Sequence, residues 1–202
     1  MSRYTGPRVR VLRALDADLP GLSRKTRERR PQRPGQHGMG RRRRPSEYAM
    51  QLLEKQKLRY NYGLTERQLR RLYREAHNAK GITGDVMLSL LERRLDNVVF
   101  RLGICPTIPA ARQLVNHRHV VLNGHRVDIP SIRTKAGDVL TLTEKARKFG
   151  FVVESLENPS APLPDWLRWQ GDHAEAHVVS LPAAIDALIE IDTQLIVEFY
   201  AR

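Results

Sequence analysis

Residues 111–127, ARQLVNHRHVVLNGHRV, constrain the fold more than any other stretch of the chain. Asn123-Gly124 lies between two short β-rich runs, and this dipeptide readily takes the positive φ angles that a two-residue hairpin turn requires. Just before it, Pro109 to Arg118 follow helical spacing, with Ala111, Leu114 and Val115 on one side and Arg112, Gln113 and Asn116 on the other. A further strand, Val139 to Thr143, follows the turn at Gly137-Asp138. A short helix feeding a hairpin and a third strand reads as helices packed on a small antiparallel sheet, so the expected fold class is α+β.

Upstream the pattern is helical. Pro45-Ser46 opens a helix with Ala49, Leu52 and Leu53 on one face and Gly63 as its stop. Thr65 and Gln68 have the spacing of a capping box for the next helix, which Gly81 ends. There Leu69, Leu72, Tyr73 and Ala76 share one face, while Arg67, Arg70, Arg71 and Arg74 project from the other. The spacing predicts a third, uninterrupted helix from about Asp85 to Leu102, with the stripe Leu88, Leu91, Leu95, Val98, Val99 and Leu102.

Charge divides the chain. Residues 1–45 carry 14 basic and 3 acidic side chains, whereas residues 151–202 carry 2 and 9, within a net charge of +13. A positive field spread over three quarters of the chain predicts a polyanion-facing surface, and nucleic acid is the obvious polyanion. Residues 23–45, SRKTRERRPQRPGQHGMGRRRRP, lack apolar periodicity and read as an extended arm that orders on phosphate, with Gly35, Gly38 and Gly40 permitting close backbone approach. Deleting residues 1–45 is accordingly expected to leave a folded protein. Residues 150–181 read as a weakly patterned loop with Trp166 and Trp169 covering the sheet. Pro182 suits the first turn of a short helix bearing Ile185, Leu188 and Ile189, and the β-rich QLIVEFY segment is too apolar to dangle and should dock on the helical domain.

Several chemistries find no support. There is no G-x-x-x-x-G-K loop, no G-x-S-x-G elbow and no H-E-x-x-H pair. His117-x-His119 lacks a third ligand at suitable spacing, and the single cysteine, Cys105, has no partner for a disulfide or zinc site. No stretch approaches the roughly 18 apolar residues of a membrane helix, and the basic start has no apolar run behind it. A soluble protein of a reducing compartment is expected, without metal or cofactor.

The unit at 111–127 does offer recognition chemistry. Arg112, Arg118 and Arg126 are suited to bidentate phosphate pairing, while Gln113, His117, His119 and Asn123 can meet phosphate, ribose hydroxyls or base edges. Replacing Arg112 and Arg126 together by alanine is expected to weaken RNA binding without unfolding the chain.

RLDNVVFRLGICPTIPAARQLVNHRHVVLNGHRVDIP, residues 94–130, resembles the RNA-binding module named after the fourth protein of the small ribosomal subunit. The resemblance extends to RYTGPRVRVLRAL, PGQHG, SEYAMQLLEKQKLRYNYGLTERQLRRLYREA and QLIVEFYAR, in order along the chain. PTIPAARQLVNHRHVVLNG looks most like cyanobacterial and plastid members. The resemblance implies a structural, non-catalytic ribosomal protein that binds 16S rRNA early at a junction in its 5′ domain. It also implies a place beside the third and fifth small-subunit proteins, near where mRNA enters, and an influence on decoding accuracy. Many bacterial relatives have a cysteine cluster in the arm; this sequence has none, and no zinc is carried over. The implied rRNA contacts are Arg112, Gln113, His117, Arg118, His119, Asn123 and Arg126, then Arg24, Lys25, His37, Arg41, Arg42, Arg43 and Arg44 in the arm, and the Arg67, Arg70, Arg71 and Arg74 face.

Two rivals share the module. Pseudouridine synthases use an Arg-Leu-Asp motif that Arg94-Leu95-Asp96 mimics, but here the triplet precedes the module and too little chain follows for a catalytic domain; Asp96 reads as a salt-bridging group. A heat-shock RNA chaperone lacks the matching arm and helices. The expected organisation is a basic arm at 1–45, a helical domain at 46–90 completed by 182–202, and an α+β domain at 91–181 with the RNA-binding module at about 91–152.

Overall fold

The computed structural model describes residues 4–40, 44–171, 173, 175–183 and 186–201. Arg41, Arg42, Arg43 and Ile185 lie outside the described residues. The chain forms two compact units, residues 1–87 with 189–202 and residues 88–188.

The first unit begins with a helix where the sequence reading had only arm. Helix α1 (Arg8–Leu15) and the turn after it bury Val11, Leu12, Leu15, Leu19 and Leu22 in one apolar cluster, against which Leu53, Tyr60 and Ile189 pack. Burial of five large aliphatic side chains stabilises this corner by several kcal/mol at roughly 1.5–3 kcal/mol each. Deletion of residues 1–45 therefore removes core, not merely a tail. The segment that follows is tied back to α1: Arg13 donates to the carbonyls of Gln32 (2.8 Å) and Arg33 (3.4 Å), and Arg27 pairs with Asp16. A Cβ on Gly38 would sit 1.9 Å from the Arg33 carbonyl oxygen, so this glycine is required by the chain's own turn.

Helix α2 (Glu47–Asn61) starts where Ser46 accepts from the Ala49 amide, and α3 (Glu66–Asn78) starts at the reciprocal Thr65–Gln68 capping box. The buried face of α2 is not Ala49, Leu52 and Leu53, which are half-buried, but Gln51, Lys55, Leu58 and Asn61. Polar side chains are tolerated there because each finds a partner. The Lys55 ammonium lies 3.1 Å from a Glu66 carboxylate oxygen and 4.2 Å from the Phe199 ring centroid, Gln51 donates to Glu198, and Asn61 accepts from the Gly21 amide.

Phe199 and Glu198 belong to α9 (Thr193–Ala201), which packs on α2 and α3. The QLIVEFY segment thus docks as a helix rather than as a strand. Its β-branched and aromatic residues bias the isolated sequence toward extended structure, but tertiary packing overrides that bias. Ile196 is fully buried, Tyr200 stacks on Tyr73, and Asp192 caps the helix by accepting from the amides of Gln194 and Leu195.

Glu66 ties the three helices together, taking the Tyr200 hydroxyl at 2.8 Å as well as Lys55. Burial pushes its carboxyl pKa up, but the hydrogen bonds from Tyr200 and Lys55 and the charges of Lys55 and Arg59 outweigh this and hold it below its usual 4.5. A depressed carboxylate pKa contributes stability above the unfolded value that is lost as pH falls through the folded one. Acid titration of α9 docking, followed by Tyr200 fluorescence or exchange, is expected to show a transition below pH 4.5 that Glu66→Gln removes; an unchanged transition would clear Glu66 of that role.

The second unit opens within the stripe expected to be one helix. Instead α4 (Thr83–Glu92) and α5 (Leu95–Arg101) are separate, with Arg94 extended between them. The reason lies forty residues downstream, where segment 130–134 pairs with the break. Leu95 and Asp96 donate their amides to the carbonyls of Ile132 (2.8 Å) and Pro130 (3.1 Å), and Thr134 donates to that of Arg93 (2.8 Å). The apolar spacing runs through the break unchanged, so Leu91, Leu95, Val98 and Val99 are all fully buried.

Helix α6 (Ile108–Asn116) packs on α5 and leads into β1 (Val120–Leu122) and β2 (His125–Val127). Leu122 pairs with His125 across Asn123 and Gly124, whose φ angles of 49° and 81° are those of a type I′ turn. The sheet continues through β3 (Val139–Leu142) to β5 (Glu175–Val178) and β4 (Leu167–Gln170), in the order β2-β1-β3-β5-β4, antiparallel throughout. Period-two alternation turns Val120, Leu140, Leu142, Leu167, Ala176 and Val178 to one buried face. Helix α7 (Glu144–Arg147) follows β3, and α8 (Gly150–Glu157) and the last two strands fall where a loop was expected. Trp169 is part of β4 itself, and Trp166 is buried just before it. No α-helix starts at Pro182 among the described residues; the Asp186 carboxylate instead accepts from the Ala183 amide.

Cys105 is 1 % exposed, and burial pushes its thiol up to about 12. The thiolate is the reactive form. Native protein should therefore resist a thiol reagent at neutral pH, while urea-unfolded protein reacts fully; rapid native labelling would contradict the packing described.

Candidate nucleic-acid interface

Each unit presents its own cationic surface. In the first, the apolar face of α3 buries Leu69, Leu72, Tyr73 and Ala76, which forces Arg67, Arg70, Arg71 and Arg74 outward. All four are exposed, form ion pairs with no described residue, and with Gln68 line a shallow groove of about 440 Å³. Four exposed guanidinium groups on one helix face, with no ion-pair partner among the described residues, are matched to an external polyanion. In the segment after α1, Arg24, Lys25, His37 and Arg44 are exposed.

In the second unit the ridge is less uniform than its sequence implied. Arg112 is not a free outward group: its guanidinium lies on the fully buried Asp96 carboxylate at 2.6 and 3.1 Å. Arg94 binds the same carboxylate at 2.9 and 3.1 Å, and the Asn97 amide donates to it as well. Asp96 is thus an ionic hub at the start of α5, salt-bridging as expected although the helix around it is not continuous. Asn123 is likewise occupied, since its amide donates to Asp138 (2.9 Å) and accepts from the Val139 amide (2.8 Å), tying the hairpin turn to the start of β3. Arg112 is half-buried and Asn123, although exposed, has its amide engaged, so both hold the ridge in shape, and Arg126 alone is the cleaner alanine variant.

Gln113, His117, Arg118 and Arg126 are exposed, and His119 is half-buried against Phe149. Helix α6 ends in a Schellman motif: His119 donates to the Leu114 carbonyl (3.2 Å) and Arg118 to that of Val115 (2.8 Å). The left-handed position of this motif usually belongs to glycine, yet here Arg118 holds φ 61°. Its side chain reaches Asp128 at 2.8 Å, an exposed pair worth little. An arginine kept at a glycine position directs attention to what its side chain does. Arg118→Gly is expected to leave stability within about 1 kcal/mol, strain relief offsetting chain entropy and the lost pair, while RNA affinity falls. Equal loss of both, read by urea melts and filter binding, would make Arg118 a purely structural residue.

The charge around His119 includes a group the sequence reading passed over. Burial holds its pKa below the ordinary histidine value, as do the positive charges of His117, Lys145 and Arg126. Lys145, exposed on α7, therefore belongs with the ridge. Its sequence signal was present in EKARK, but that segment lay beyond the helix–hairpin pattern.

A helical unit with an arginine face, joined to a helix–hairpin module with a basic ridge, defines a nucleic-acid-binding class of protein. Residues 3–92 match the family model described as ribosomal protein S4/S9 N-terminal domain, and residues 93–140 match the S4 domain. The chain is 56 % identical over 203 residues to small ribosomal subunit protein uS4 of Methylobacillus flagellatus, spanning 100 % of this chain and 99 % of that one. It is 50 % identical to the uS4 protein of Nostoc punctiforme, over 100 % of this chain and 99 % of the relative, and 50 % identical to the uS4c protein of Cyanophora paradoxa, over the full length of both. The chain belongs to the ribosomal protein S4 family, whose members are structural proteins rather than enzymes. Cyanobacterial likeness is real, but it is not exclusive.

Proposed function

We propose that this protein is a structural constituent of the small ribosomal subunit and a primary binder of 16S rRNA. It binds a helical junction in the 5′ domain early enough to nucleate assembly. In the finished subunit it lies beside the third and fifth proteins, near the point where mRNA enters, and influences decoding accuracy. The observation that carries this reading is end-to-end similarity to small-subunit proteins in a chain with exposed cations on α3 and on the α6–hairpin ridge.

Capture is electrostatic. Arg67, Arg70, Arg71 and Arg74, with Arg24, Lys25, His37 and Arg41 to Arg44, take phosphates; Gln113, His117, Arg118, His119 and Arg126 meet the RNA from the ridge, which Arg112 and Asn123 hold in shape. With about 6–10 phosphates neutralised, affinity falls roughly 10³- to 10⁵-fold between 50 and 200 mM salt.

The test is binding to 16S rRNA across a salt series in excess tRNA, with chemical footprinting of the bound RNA. Protection concentrated at one 5′-domain junction and surviving competitor is expected. Diffuse protection that tRNA abolishes would reduce the protein to a generic basic RNA binder.

A further inference from the structure

Next to the ridge lies a groove of about 540 Å³ whose lining includes Leu114, Phe149, Phe151, Gln113, His117 and His119. Two aromatic rings stand together in it. Phe149 and Phe151 have centroids 5.6 Å apart and planes 25° from parallel, and His119 meets Phe149 edge-on at 5.0 Å. Phe151 is 42 % exposed, at the solvent-facing start of α8, and its neighbour Val153 is also exposed. Neither side chain is needed for the buried face of that helix, which Val152 and Ser155 supply.

An exposed phenylalanine stacked on a half-buried one, with an exposed valine beside it, makes an apolar patch that marks a contact surface. Its surroundings are cationic: Lys145, Arg147 and Lys148 immediately precede Phe149, all exposed, and Arg126 and Lys145 act on His119 from β2 and α7. A purely apolar partner gains nothing from that frame. A flat π-system tethered to phosphates matches both parts, aromatic face to ring and phosphate to cation. The rings are too close to admit a third between them, which would need about 7 Å, twice the carbon contact distance. Stacking is therefore on the outward face of Phe151, with Phe149 as its support.

We propose that Phe151, backed by Phe149, stacks one unpaired nucleobase of the bound RNA, with Gln113 and His117 within the same groove to meet the base edge. The site rests on the RNA-binding role proposed above, and it adds to it a single-stranded nucleotide held by stacking rather than by charge.

The experiment measures full-length protein binding to 16S rRNA across a salt series for the parent, Phe151→Ala, Phe151→Trp and Arg126→Ala. A 4-thiouridine-substituted transcript is photocrosslinked in parallel and the adduct located by mass spectrometry. Loss of one stacked base weakens binding about tenfold. Phe151→Ala should show that loss with the salt slope unchanged, because no phosphate contact is removed, and Phe151→Trp should restore it. Arg126→Ala should flatten the slope instead, and the parent crosslink should map to residues 149–151. Parent-like binding by Phe151→Ala, with Arg126→Ala still impaired, would overturn the stacking site and leave RNA binding intact, pointing to a protein neighbour at this patch. Equal losses for alanine and tryptophan would also overturn it. If the parent fails to bind 16S rRNA specifically, the broader reading falls and takes the site with it.

Discussion

Asp96→Ala should destabilise the second unit by about 3–5 kcal/mol, the cost of removing one partner from a buried ionic group. Asp96 is completely buried and neutralises two guanidinium groups at once, with side-chain exposures of 10 % for Arg94 and 19 % for Arg112. Without the carboxylate, the two guanidinium groups lose the acceptor they share, and the Asn97 amide loses its partner. At the usual sensitivity of roughly 1–3 kcal/mol per molar urea, the denaturation midpoint drops by at least 1 M. Arg112→Ala should cost clearly less, because Arg94 still satisfies Asp96. Urea melts of the two variants, followed by a probe in residues 88–188, give the comparison. A parent-like midpoint for Asp96→Ala would mean that segment 130–134 holds the helix break without the ionic hub.

The second large effect concerns binding. Replacing Arg67, Arg70, Arg71 and Arg74 together by glutamine should leave helix content unchanged, since all four are exposed and glutamine is a comparable helix former. If each guanidinium neutralises one phosphate, the slope of log affinity against log salt becomes shallower by about 3–4, at 0.7–0.9 per contact. Affinity at 50 mM salt then drops by orders of magnitude while the gap narrows as salt rises. An unchanged slope would remove the α3 face from the interface, whatever the behaviour of the ridge.

What could be read in advance follows from the range of the interactions involved. The capping box of α3, the helix before the hairpin and the Asn123-Gly124 turn are decided within a few residues, and they form as the sequence predicts. The break at Arg94 is decided by carbonyls and amides at 130–134, which no local window contains. The same holds for the ridge. Arg112 reads as outward because its helix face is outward, yet its partner lies 16 residues earlier, and Asn123 is taken by Asp138, 15 residues later. The exposed arginines of α3 were legible because burial of their opposite face leaves them nowhere else to point. Strands β4 and β5 were not, since four residues each with only Leu167, Ala176 and Val178 buried carry too little alternation to register.

Closure of the first unit by α9 bears on the order in which the chain acquires structure during synthesis. Residues 88–188 hold all five strands and most of their packing partners in one continuous stretch, available before residues 189–201 have been made. The first unit must wait: Gln51, Lys55 and Glu66 keep a polar helix face without its cover until Glu198, Phe199 and Tyr200 emerge. The later-made unit thus completes first and the earlier-made unit last, so the arginine face of α3 reaches its final support only after the module is already folded.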